Sequence, residues 1–374
     1  MNKVNNELLS RGVEKVIPHQ LADKKLSSSE KIRIYFGIDP TGSKLHLGHT
    51  IPLRKLRDFA NLGHEVIFLV GSFTAMIGDP TGRDAMRSQL TREEVEKNFE
   101  TYKEQATKVL DLSKIQVKYN HEWLEKLGFK EIVDLASKFT VQQMLQRDMF
   151  EKRLRDNKPI SVHEFMYPLM VGYDSVVLDV DCELGGSDQE FNMLAGRTLQ
   201  TAFGKREKFI LTTKLIEGTD GRKMSKSYDN CVYLEDSSAD MYGKLMSLHD
   251  DLIRKYFECL TDISADEIEG ILSSHPKEAK MRLAYEITKM YHCEEEAKKA
   301  EESFEQTFAK GGIPEDIKTV SAPSDKPLAD ILLEEGIVAS KTEFNRLNKD
   351  GAIKELENGV YRIGKHRFLK IERV

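Results

Sequence analysis

The sequence predicts a doubly wound α/β fold, because segments typical of buried parallel strands alternate with helical patterns. Four segments have the composition of strands: residues 32–38, 65–71, 175–184 and 208–216. The second and third are almost continuously apolar or β-branched, as expected for strands that helices cover on both faces. Between them, TREEVEKNFETYKEQATKVL predicts an amphipathic helix that begins with a capping box of Thr91 and Glu94.

The length of the chain, 374 residues, predicts more than one domain. Its parts differ in their sequence patterns. Strands alternate with helices in one part, charged helical patterns follow, and a stretch rich in Gly, Pro and Ser comes after them. These parts are a Rossmann-like domain at 1–232 with a helical insertion at about 120–165, a helical domain at 233–312, a linker at 313–327 and a small α+β module at 328–374. The module contains a predicted hairpin at Asn358-Gly359.

The charge of the whole chain argues against general binding to polyanions. There are 56 Lys and Arg against 62 Asp and Glu, which gives a formal net charge of −6. The segment from Lys341 to Val374 differs, because nine basic residues against five acidic residues give it a net charge of +4. Such a basic patch favours a local contact with a polyanion, although a solvated basic tail would have the same composition.

No segment of the sequence predicts export or insertion into a membrane. We find no run of about 18 apolar residues, and the N-terminus lacks the apolar core and cleavage site of a signal peptide. The cysteines, at positions 182, 231, 259 and 293, are too scattered for a zinc site or a disulfide framework. We therefore expect a reducing, cytoplasmic location.

Each predicted strand is followed by a loop rich in glycine and polar residues. In chain order these loops read DPTGSKLHLGH, SFTAMIGDPTG, GGSDQEFN and EGTDGRKMSKS. In an open parallel sheet, ligands bind outside the carboxyl ends of the strands. The four loops therefore predict one binding cleft at that edge of the sheet.

The HLGH segment places His46 and His49 three residues apart at a predicted helix start, so both imidazoles project from one side of the first turn. The free N–H groups of a helix start favour phosphate, and Gly48 lets a flat ring approach the backbone. The segment thus predicts a nucleotide with its base at Gly48 and its phosphates beside the histidines. Taken alone, it fits two surface histidines equally well.

The loop at 218–229 contains KMSKS, in which Lys223 and Lys226 are three residues apart. Mobile ammonium groups on a glycine-bounded loop suit a pentavalent phosphate that forms and then leaves. A flexible basic loop would have a similar composition. Because KMSKS occurs together with HLGH after the first strand, the interpretation as a phosphate site is favoured.

The pair HLGH and KMSKS, in this order, resembles the two signature motifs of the class I aminoacyl-tRNA synthetases. YFGIDPTGSKLHLGH, GDPTG, YDS and GGSDQEFN together resemble the tyrosyl-tRNA synthetases of the bacterial branch, and SKTEFNRLNKDGAI resembles the small RNA-binding module of a ribosomal small-subunit protein. The resemblance implies a tyrosine–tRNA ligase that uses ATP with Mg²⁺, acts on L-tyrosine and tRNA(Tyr), and forms a homodimer through the insertion. The sequence offers no dedicated metal cage.

The resemblance also implies roles for the residues at matching positions. The triphosphate and the transition state would be held by Thr41, His46, His49, Lys223, Lys226 and Ser227. ATP would also contact Asp39, Gly48, Gly186, Asp188, Leu215 and Ile216. Tyrosine would be bound by Tyr35, Gly37, Thr74, Asp79, Asn120, Tyr167, Val171, Asp174 and Gln189, with Tyr35 and Asp174 at the phenolic hydroxyl.

One position departs from the family pattern. Ser161 and Glu164 predict a capping box, and the helix that follows places Tyr167, Val171 and Asp174 on one face. The family usually carries glutamine where this chain has Val171, and a lost hydrogen bond to a charged ammonium group costs ~1.5–3 kcal/mol. Tyrosine is the favoured substrate. A tyrosine analogue altered near its α-amino group, tryptophan, and a non-catalytic RNA-binding paralogue remain as alternatives.

Overall fold

The computed structural model describes residues 3–81, 90–306, 317–338, 340–356, 359–364 and 367–373. Two compact units form among these residues. One comprises Met1–Asp236 and Ser247–Leu283, and the other comprises Ser237–Met246 and Ala284–Val374. The predicted helical domain at 233–312 is therefore divided between the two units rather than forming one of its own.

A six-stranded sheet forms the centre of the first unit. Its strands are β1 (Val13–Ile17), β2 (Arg33–Ile38), β3 (Glu65–Val70), β4 (Gln116–Tyr119), β5 (Cys182–Gly186) and β6 (Phe209–Thr213). They lie in the order β1-β6-β5-β2-β3-β4, and within the described part of this sheet only β1 runs antiparallel to its neighbour. The predicted doubly wound sheet is confirmed. The edge strands β1 and β4 were not predicted from the sequence.

The described residues also form helices before, between and after the strands along the chain. In chain order they are α1 (Lys3–Ser10), α2 (His19–Ser27), α3 (Leu47–Asn61), α4 (Thr74–Ile77), α5 (Arg92–Ala106), α6 (His121–Leu124), α7 (Phe129–Ala136), α8 (Val141–Leu145), α9 (Asp148–Arg155), α10 (Val162–Leu178), α11 (Glu190–Ala202), α12 (Ser238–Met246), α13 (Ile253–Leu260), α14 (Ala265–Leu272), α15 (Pro276–Tyr291), α16 (Glu294–Phe304), α17 (Leu328–Glu334) and α18 (Lys341–Lys349). The stretch between β4 and β5 is helical, as the predicted insertion requires.

The strand order reverses between β2 and β5, which lie side by side in the sheet. This reversal is the place where a doubly wound sheet opens a crevice for ligands. The chain leaves β2 at Asp39 and leaves β5 at Ser187, so the loops that begin there border the crevice. The sheet below is solidly packed, with Ile34, Ile210 and Leu211 fully buried.

The predicted strand at 175–184 is wrong over residues 175–181. Helix α10 continues to Leu178, Asp179 ends it in the left-handed conformation with φ 47°, and β5 begins only at Cys182. A continuous apolar run has neither the period of a strand nor that of a helix, so it fits the buried end of a helix equally well.

The two predicted capping boxes have different outcomes. At the start of α5, the backbone N of Glu94 donates to Thr91 Oγ1 over 3.2 Å and the backbone N of Thr91 donates to Glu94 Oε2 over 2.8 Å. At the start of α10, the side chain of Ser161 makes no cap hydrogen bond. Glu164 instead accepts from buried Arg153 over 2.6 Å, because that guanidinium group needs a negative partner in the interior.

The second unit contains a four-stranded sheet of β7 (Thr319–Ala322), β8 (Ile353–Glu355), β9 (Val360–Ile363) and β10 (Arg367–Arg373), in the order β7-β10-β9-β8. Strand β7 falls within the predicted linker, so the small module begins earlier than the sequence indicated. It escaped prediction because it is short and pairs with a strand far along the chain. Residues 313–316 of the linker and Asn358 of the predicted hairpin lie outside the described residues.

Within the described ranges, no helix is long and apolar enough to span a bilayer. The four cysteines all fall in these ranges, and none of them forms a disulfide. The cytoplasmic location stays a prediction.

Candidate active site

His46 and His49 stand together at the start of α3. His46 is the N-cap residue, its backbone N donates to His49 Nδ1 over 3.2 Å, and the two ring centroids are 3.8 Å apart. The backbone N of Leu47 donates to the carbonyl oxygen of Val232 over 2.9 Å. The histidine segment is therefore held by the chain that directly follows the KMSKS loop.

Both imidazoles are kept neutral. Burial, followed by the positive charges of Lys226 and Lys223, lowers the pKa of His46 to about 3. Burial also lowers the pKa of His49 well below its usual value, with His46 and the same two lysines adding to the effect. The lysines thus lie close enough to act on both histidines, and a neutral imidazole can donate a hydrogen bond to a phosphate oxygen.

Lys226 lies between the loop after β2 and helix α5. Its Nζ donates to the hydroxyl of Tyr102 over 3.0 Å, and the Tyr102 ring centroid is 6.4 Å from that of His49. A Cβ atom on Gly42 would lie 2.9 Å from the same Nζ. Tyr102 therefore links the KMSKS lysine to the histidine segment, and the glycine leaves room for the ammonium group.

Lys223 contacts the loop after β5. Its Nζ lies 2.7 Å from Asp188 Oδ2, in an ion pair that is partly open to solvent. Ser227 is exposed, while its backbone N donates to Ser225 Oγ over 3.4 Å. On the loop after β2, the backbone N of Thr41 donates to the carbonyl oxygen of Asp39 over 2.8 Å. Three predicted loops thus meet at one edge of the sheet.

Asn230, which the sequence analysis missed, holds the KMSKS loop in shape. Its Oδ1 accepts from the backbone N of Ser225 over 2.9 Å, and its Nδ2 donates to Asp220 Oδ1 over 2.7 Å and to the carbonyl oxygen of Lys223 over 3.1 Å. A Cβ on Gly218 would collide with the backbone oxygen of Asn230 at 2.2 Å. Glycine at the loop entrance is therefore a packing requirement.

Two of the glycines expected to contact ATP, Gly48 and Gly186, have close neighbours. A Cβ on Gly48 would lie 3.0 Å from the His46 ring and 3.8 Å from Ile216 Cγ1. A Cβ on Gly186 would lie 2.6 Å from Asp188 Oδ1 and 3.2 Å from Leu215 Cδ2. A side chain at Gly48 would therefore press against His46, and one at Gly186 would press against Asp188.

Asp174 is the buried carboxylate of a second, deeper pocket. Its Oδ1 accepts from Trp123 Nε1 over 2.7 Å and its Oδ2 accepts from Asn120 Nδ2 over 3.2 Å. Burial raises the pKa of Asp174 well above its usual value, while these two hydrogen bonds oppose the rise. Gly37 is exposed although β2 is central, which leaves room beside the ring of Tyr35.

A chain of hydrogen bonds leads from Asp174 towards the loop after β2. Asn120 Nδ2 also donates to Thr74 Oγ1 over 3.0 Å, and Thr74 Oγ1 donates to Asp39 Oδ1 over 2.7 Å. The other oxygen of Asp39 accepts from the hydroxyl of Tyr167 over 2.9 Å. Because each member is held by its neighbour, the pocket wall is rigid before any ligand binds.

Tyr35 is bonded differently from the expectation that pairs it with Asp174. Its hydroxyl lies 3.0 Å from Ser175 Oγ, which donates to Glu183 Oε2 over 3.1 Å. Lys208 Nζ donates to Ser175 Oγ over 2.8 Å and also pairs with Glu183. Since Ser175 uses its one proton towards Glu183, Tyr35 is the donor to Ser175, and the oxygen of Tyr35 is left to accept from a ligand.

Asp79, one of the residues expected to bind tyrosine, accepts hydrogen bonds from two side chains. Its Oδ2 accepts from Gln189 Nε2 over 2.7 Å, and its Oδ1 accepts from Thr81 Oγ1 over 2.6 Å. Thr81 Oγ1 also accepts from Arg147 Nη2 over 2.9 Å. Val171 adds no polar atom to this group. Residues 82–89, which follow in the chain, lie outside the described residues.

Hydrogen bonds and ion pairs link many of the site residues predicted from the sequence into two groups, one around the KMSKS lysines and one around Asp174 and Asp39. Seven further residues that were not predicted contact the predicted site residues or one another in the folded chain: Tyr102, Trp123, Arg147, Ser175, Glu183, Lys208 and Asn230. Trp123 is the one tryptophan of the chain, which is a signal that could have drawn attention to it. Ser175 belongs to the YDS segment, which carries part of the resemblance, whereas the other five have no local pattern that distinguishes them from ordinary helix, strand or loop residues.

The chain is similar to known proteins along nearly all of its length. The family described as tRNA synthetases class I (W and Y) matches residues 27–309. The tyrosine–tRNA ligase of Thermotoga maritima is 43% identical over 386 residues, which covers 98% of this chain and 96% of that protein. The tyrosine–tRNA ligase of Nitratidesulfovibrio vulgaris is 45% identical over 387 residues, which covers 98% and 97%.

Solved structures share the fold. A C-terminally truncated mitochondrial tyrosyl-tRNA synthetase of Coccidioides posadasii superposes with a TM-score of 0.66 at 26% identity, covering 81% of this chain and 92% of that one. The tyrosyl-tRNA synthetase of Archaeoglobus fulgidus, solved with L-tyrosine, has a TM-score of 0.65 at 22% identity, covering 80% and 100%, and supports the fold alone. From these matches, the chain belongs to the tryptophan and tyrosine group of the class I tRNA synthetases.

Proposed function

We propose that this chain is a tyrosine–tRNA ligase. It joins the carboxylate of L-tyrosine to the α-phosphate of ATP, releases pyrophosphate, and passes the tyrosyl group to the end of tRNA(Tyr). The observation that carries the proposal is the contact of Lys226 with Tyr102, beside His49, because it brings the two signature segments to one place. The names of the relatives support the choice of tyrosine and give no support to the alternatives.

The proposed chemistry depends on positioning and on electrostatic stabilisation. Neutral imidazoles of His46 and His49 would donate hydrogen bonds to phosphate oxygens, and Lys223 and Lys226 would balance the negative charge that develops on the pentavalent phosphorus. Thr41 and Ser227 would contribute hydroxyl groups. Their roles follow from resemblance and stay proposals.

Mg²⁺ would accompany ATP. Among the described residues, no group of three His, Cys, Asp or Glu side chains is arranged to hold a metal ion. The phosphates themselves are therefore the natural ligands, since Mg²⁺ commonly keeps several waters and binds through phosphate oxygens.

Selection of tyrosine would occur at Asp174 and Tyr35. Both are buried, and each has an oxygen that can accept from a phenolic hydroxyl. A ligand without that hydroxyl would leave these buried groups unsatisfied, which costs about 1–3 kcal/mol for each group.

ATP–pyrophosphate exchange with each amino acid tests the proposal. We expect exchange with L-tyrosine and little with tryptophan or phenylalanine. Exchange with tryptophan but not tyrosine would reassign the substrate, and no exchange with any amino acid would favour the non-catalytic paralogue. The variant Val171→Gln should leave the ranking of tyrosine and its α-modified analogues unchanged. A changed ranking would mean that Val171 selects the amino acid.

The basic module would bind tRNA. Arg346 and Lys349 lie in the last turn of α18, near enough to each other to form a positive patch. We expect the double variant R346E/K349E to weaken tRNA charging and to reduce its salt dependence, with pyrophosphate exchange unchanged. The control is Lys24→Glu at an exposed position of α2, which changes the charge by the same amount per residue. An equal loss of tRNA charging and of pyrophosphate exchange in R346E/K349E would indicate that the module has a structural role instead.

A homodimer would form through the 120–165 insertion. Its helices leave apolar side chains in contact with solvent: Phe129 is 83% exposed, Val141 63% and Val162 74%. Burial of such side chains contributes about 1.5–3 kcal/mol each. Sedimentation should show a dimer that Phe129→Asp dissociates, whereas Phe203→Asp outside the insertion should not. A monomeric wild type would contradict the proposal.

A further inference from the structure

A second cavity lies away from the cleft, between α1, α3 and α13. It encloses about 290 Å³, and its lining includes Leu8, Ile51, Leu62 and Cys259 together with charged side chains. None of the residues assigned to ATP or tyrosine lines it. The cavity opens on the part of α3 that follows the histidine turn, so the two sites share a helix but no side chain.

The acidic residues of this cavity have basic partners. Glu7 pairs with Arg11 at 3.4 Å, Asp58 with Arg57 at 2.9 Å, and Glu258 with Lys214 at 3.2 Å. The fourth acid, Asp262, is contacted by Arg54 at 2.6 Å and by Arg57 at 2.8 Å. The negative charge on the lining is therefore already engaged.

Lys55 is the basic residue left over. It is 5% exposed and lines the cavity, yet it makes no hydrogen bond or ion pair through its ammonium group with any described residue. Burial lowers the pKa of Lys55 from 10.5 to about 8, with Arg11 adding to the effect and Asp58, Glu7 and Cys259 opposing it. A buried cation without a partner is costly, so the site lacks one negative charge.

We propose that this cavity binds a small organic anion, with one carboxylate or phosphate group against Lys55 and an apolar body against Leu8, Ile51 and Leu62. The negative charge of the ligand would give Lys55 the ion-pair partner that the other charged residues of the lining already have. The volume is large enough for a ring or a short chain beside the anionic group, and it is at the lower end of the range for small-molecule pockets. The site is separate from the proposed activity, so it can exist whether or not that activity is correct.

The test uses sodium benzoate, sodium acetate and sodium phosphate as probes of the full-length protein, with sodium chloride at equal ionic strength as the reference. The lysines are labelled by reductive ¹³C-methylation, and NMR then reports the pKa of Lys55. The Lys55 resonance is identified as the one that is missing from the spectrum of Lys55→Met. We expect benzoate to bind, to raise that pKa, and to raise the thermal midpoint. Acetate and phosphate separate the effect of a carboxylate from that of a phosphate.

The variant Lys55→Met keeps most of the apolar stem and removes the charge. We expect it to weaken benzoate binding by about tenfold or more, whereas the exposed Lys24→Met should bind as the wild type does. Pyrophosphate exchange should be unchanged in both variants. The proposal is overturned if none of the three probes shifts the Lys55 resonance at about 10 mM, or if Lys55→Met binds them as tightly as the wild type.

Discussion

The ammonium group of Lys226 donates a hydrogen bond to the hydroxyl of Tyr102 over 3.0 Å, and the cation also lies 5.3 Å from the centre of that ring. Tyr102 belongs to α5, whereas Lys226 belongs to the loop that follows the last parallel strand. This contact fixes where the lysine stands before a nucleotide binds. It also gives the catalytic proposal its first test.

Replacement of Tyr102 by phenylalanine should lower the rate of pyrophosphate exchange by about tenfold, because a hydrogen bond to a charged group contributes ~1.5–3 kcal/mol. In a Lys226→Met background the same replacement should have no further effect, since its partner is already gone. Tyr119→Phe on β4 is the control, and it should leave the rate of exchange unchanged. Additive losses in the double variant would show that Tyr102 acts independently of Lys226.

Fluorescence of Trp123 should report amino-acid binding. It is the one tryptophan of the chain, and its Nε1 donates to Asp174 over 2.7 Å at the base of the proposed tyrosine pocket. We expect L-tyrosine to change the emission intensity of the wild type with a saturable dependence, and Asp174→Asn to lose most of that response. A response that is equally large in Asp174→Asn would place tyrosine elsewhere.

The buried pair of Lys208 and Glu183 should be costly to break. Lys208→Met leaves Glu183 unpaired in the interior, which destabilises a protein by about 3–5 kcal/mol, whereas the double variant K208M/E183L should recover much of that loss. Denaturant unfolding measures both. Because Ser175 links the pair to Tyr35, the double variant should still raise the KM for tyrosine.

The matched control is Lys214→Met, which breaks a half-exposed pair with Glu258 and should cost ~1 kcal/mol or less. An equal cost for Lys208→Met and Lys214→Met would contradict the importance given to burial. An unchanged KM in K208M/E183L would show that Tyr35 does not depend on this network.

Stability should depend on pH through Lys55. Its pKa falls from 10.5 to about 8 in the folded chain, so between these values the unfolded state binds more protons and stability rises with pH. Relative to Lys55→Met, the free energy of unfolding of the wild type should increase by about 3 kcal/mol from pH 8 to pH 10.5 and change little below pH 8. Denaturant titrations of both proteins check this, and a constant difference would contradict it.

Prediction from the sequence worked for the two signature motifs because their signals are local. A histidine pair after one strand and a lysine pair after another are visible in the chain, and the rule for ligands in parallel sheets places them together. It failed at 175–184, because an apolar run carries no period, and at β1 and β7, because short edge strands are decided by distant partners. The pocket residues that it missed, such as Lys208 and Ser175, meet only after folding.

A structure of the protein with tyrosine and a non-hydrolysable ATP analogue would show whether the two signature segments hold one nucleotide. We expect one nucleotide whose phosphates contact the imidazoles of His46 and His49 and the ammonium groups of Lys223 and Lys226, with Tyr102 beside them. A nucleotide whose phosphates reach only one of these two groups, with the KMSKS loop closed, would contradict it.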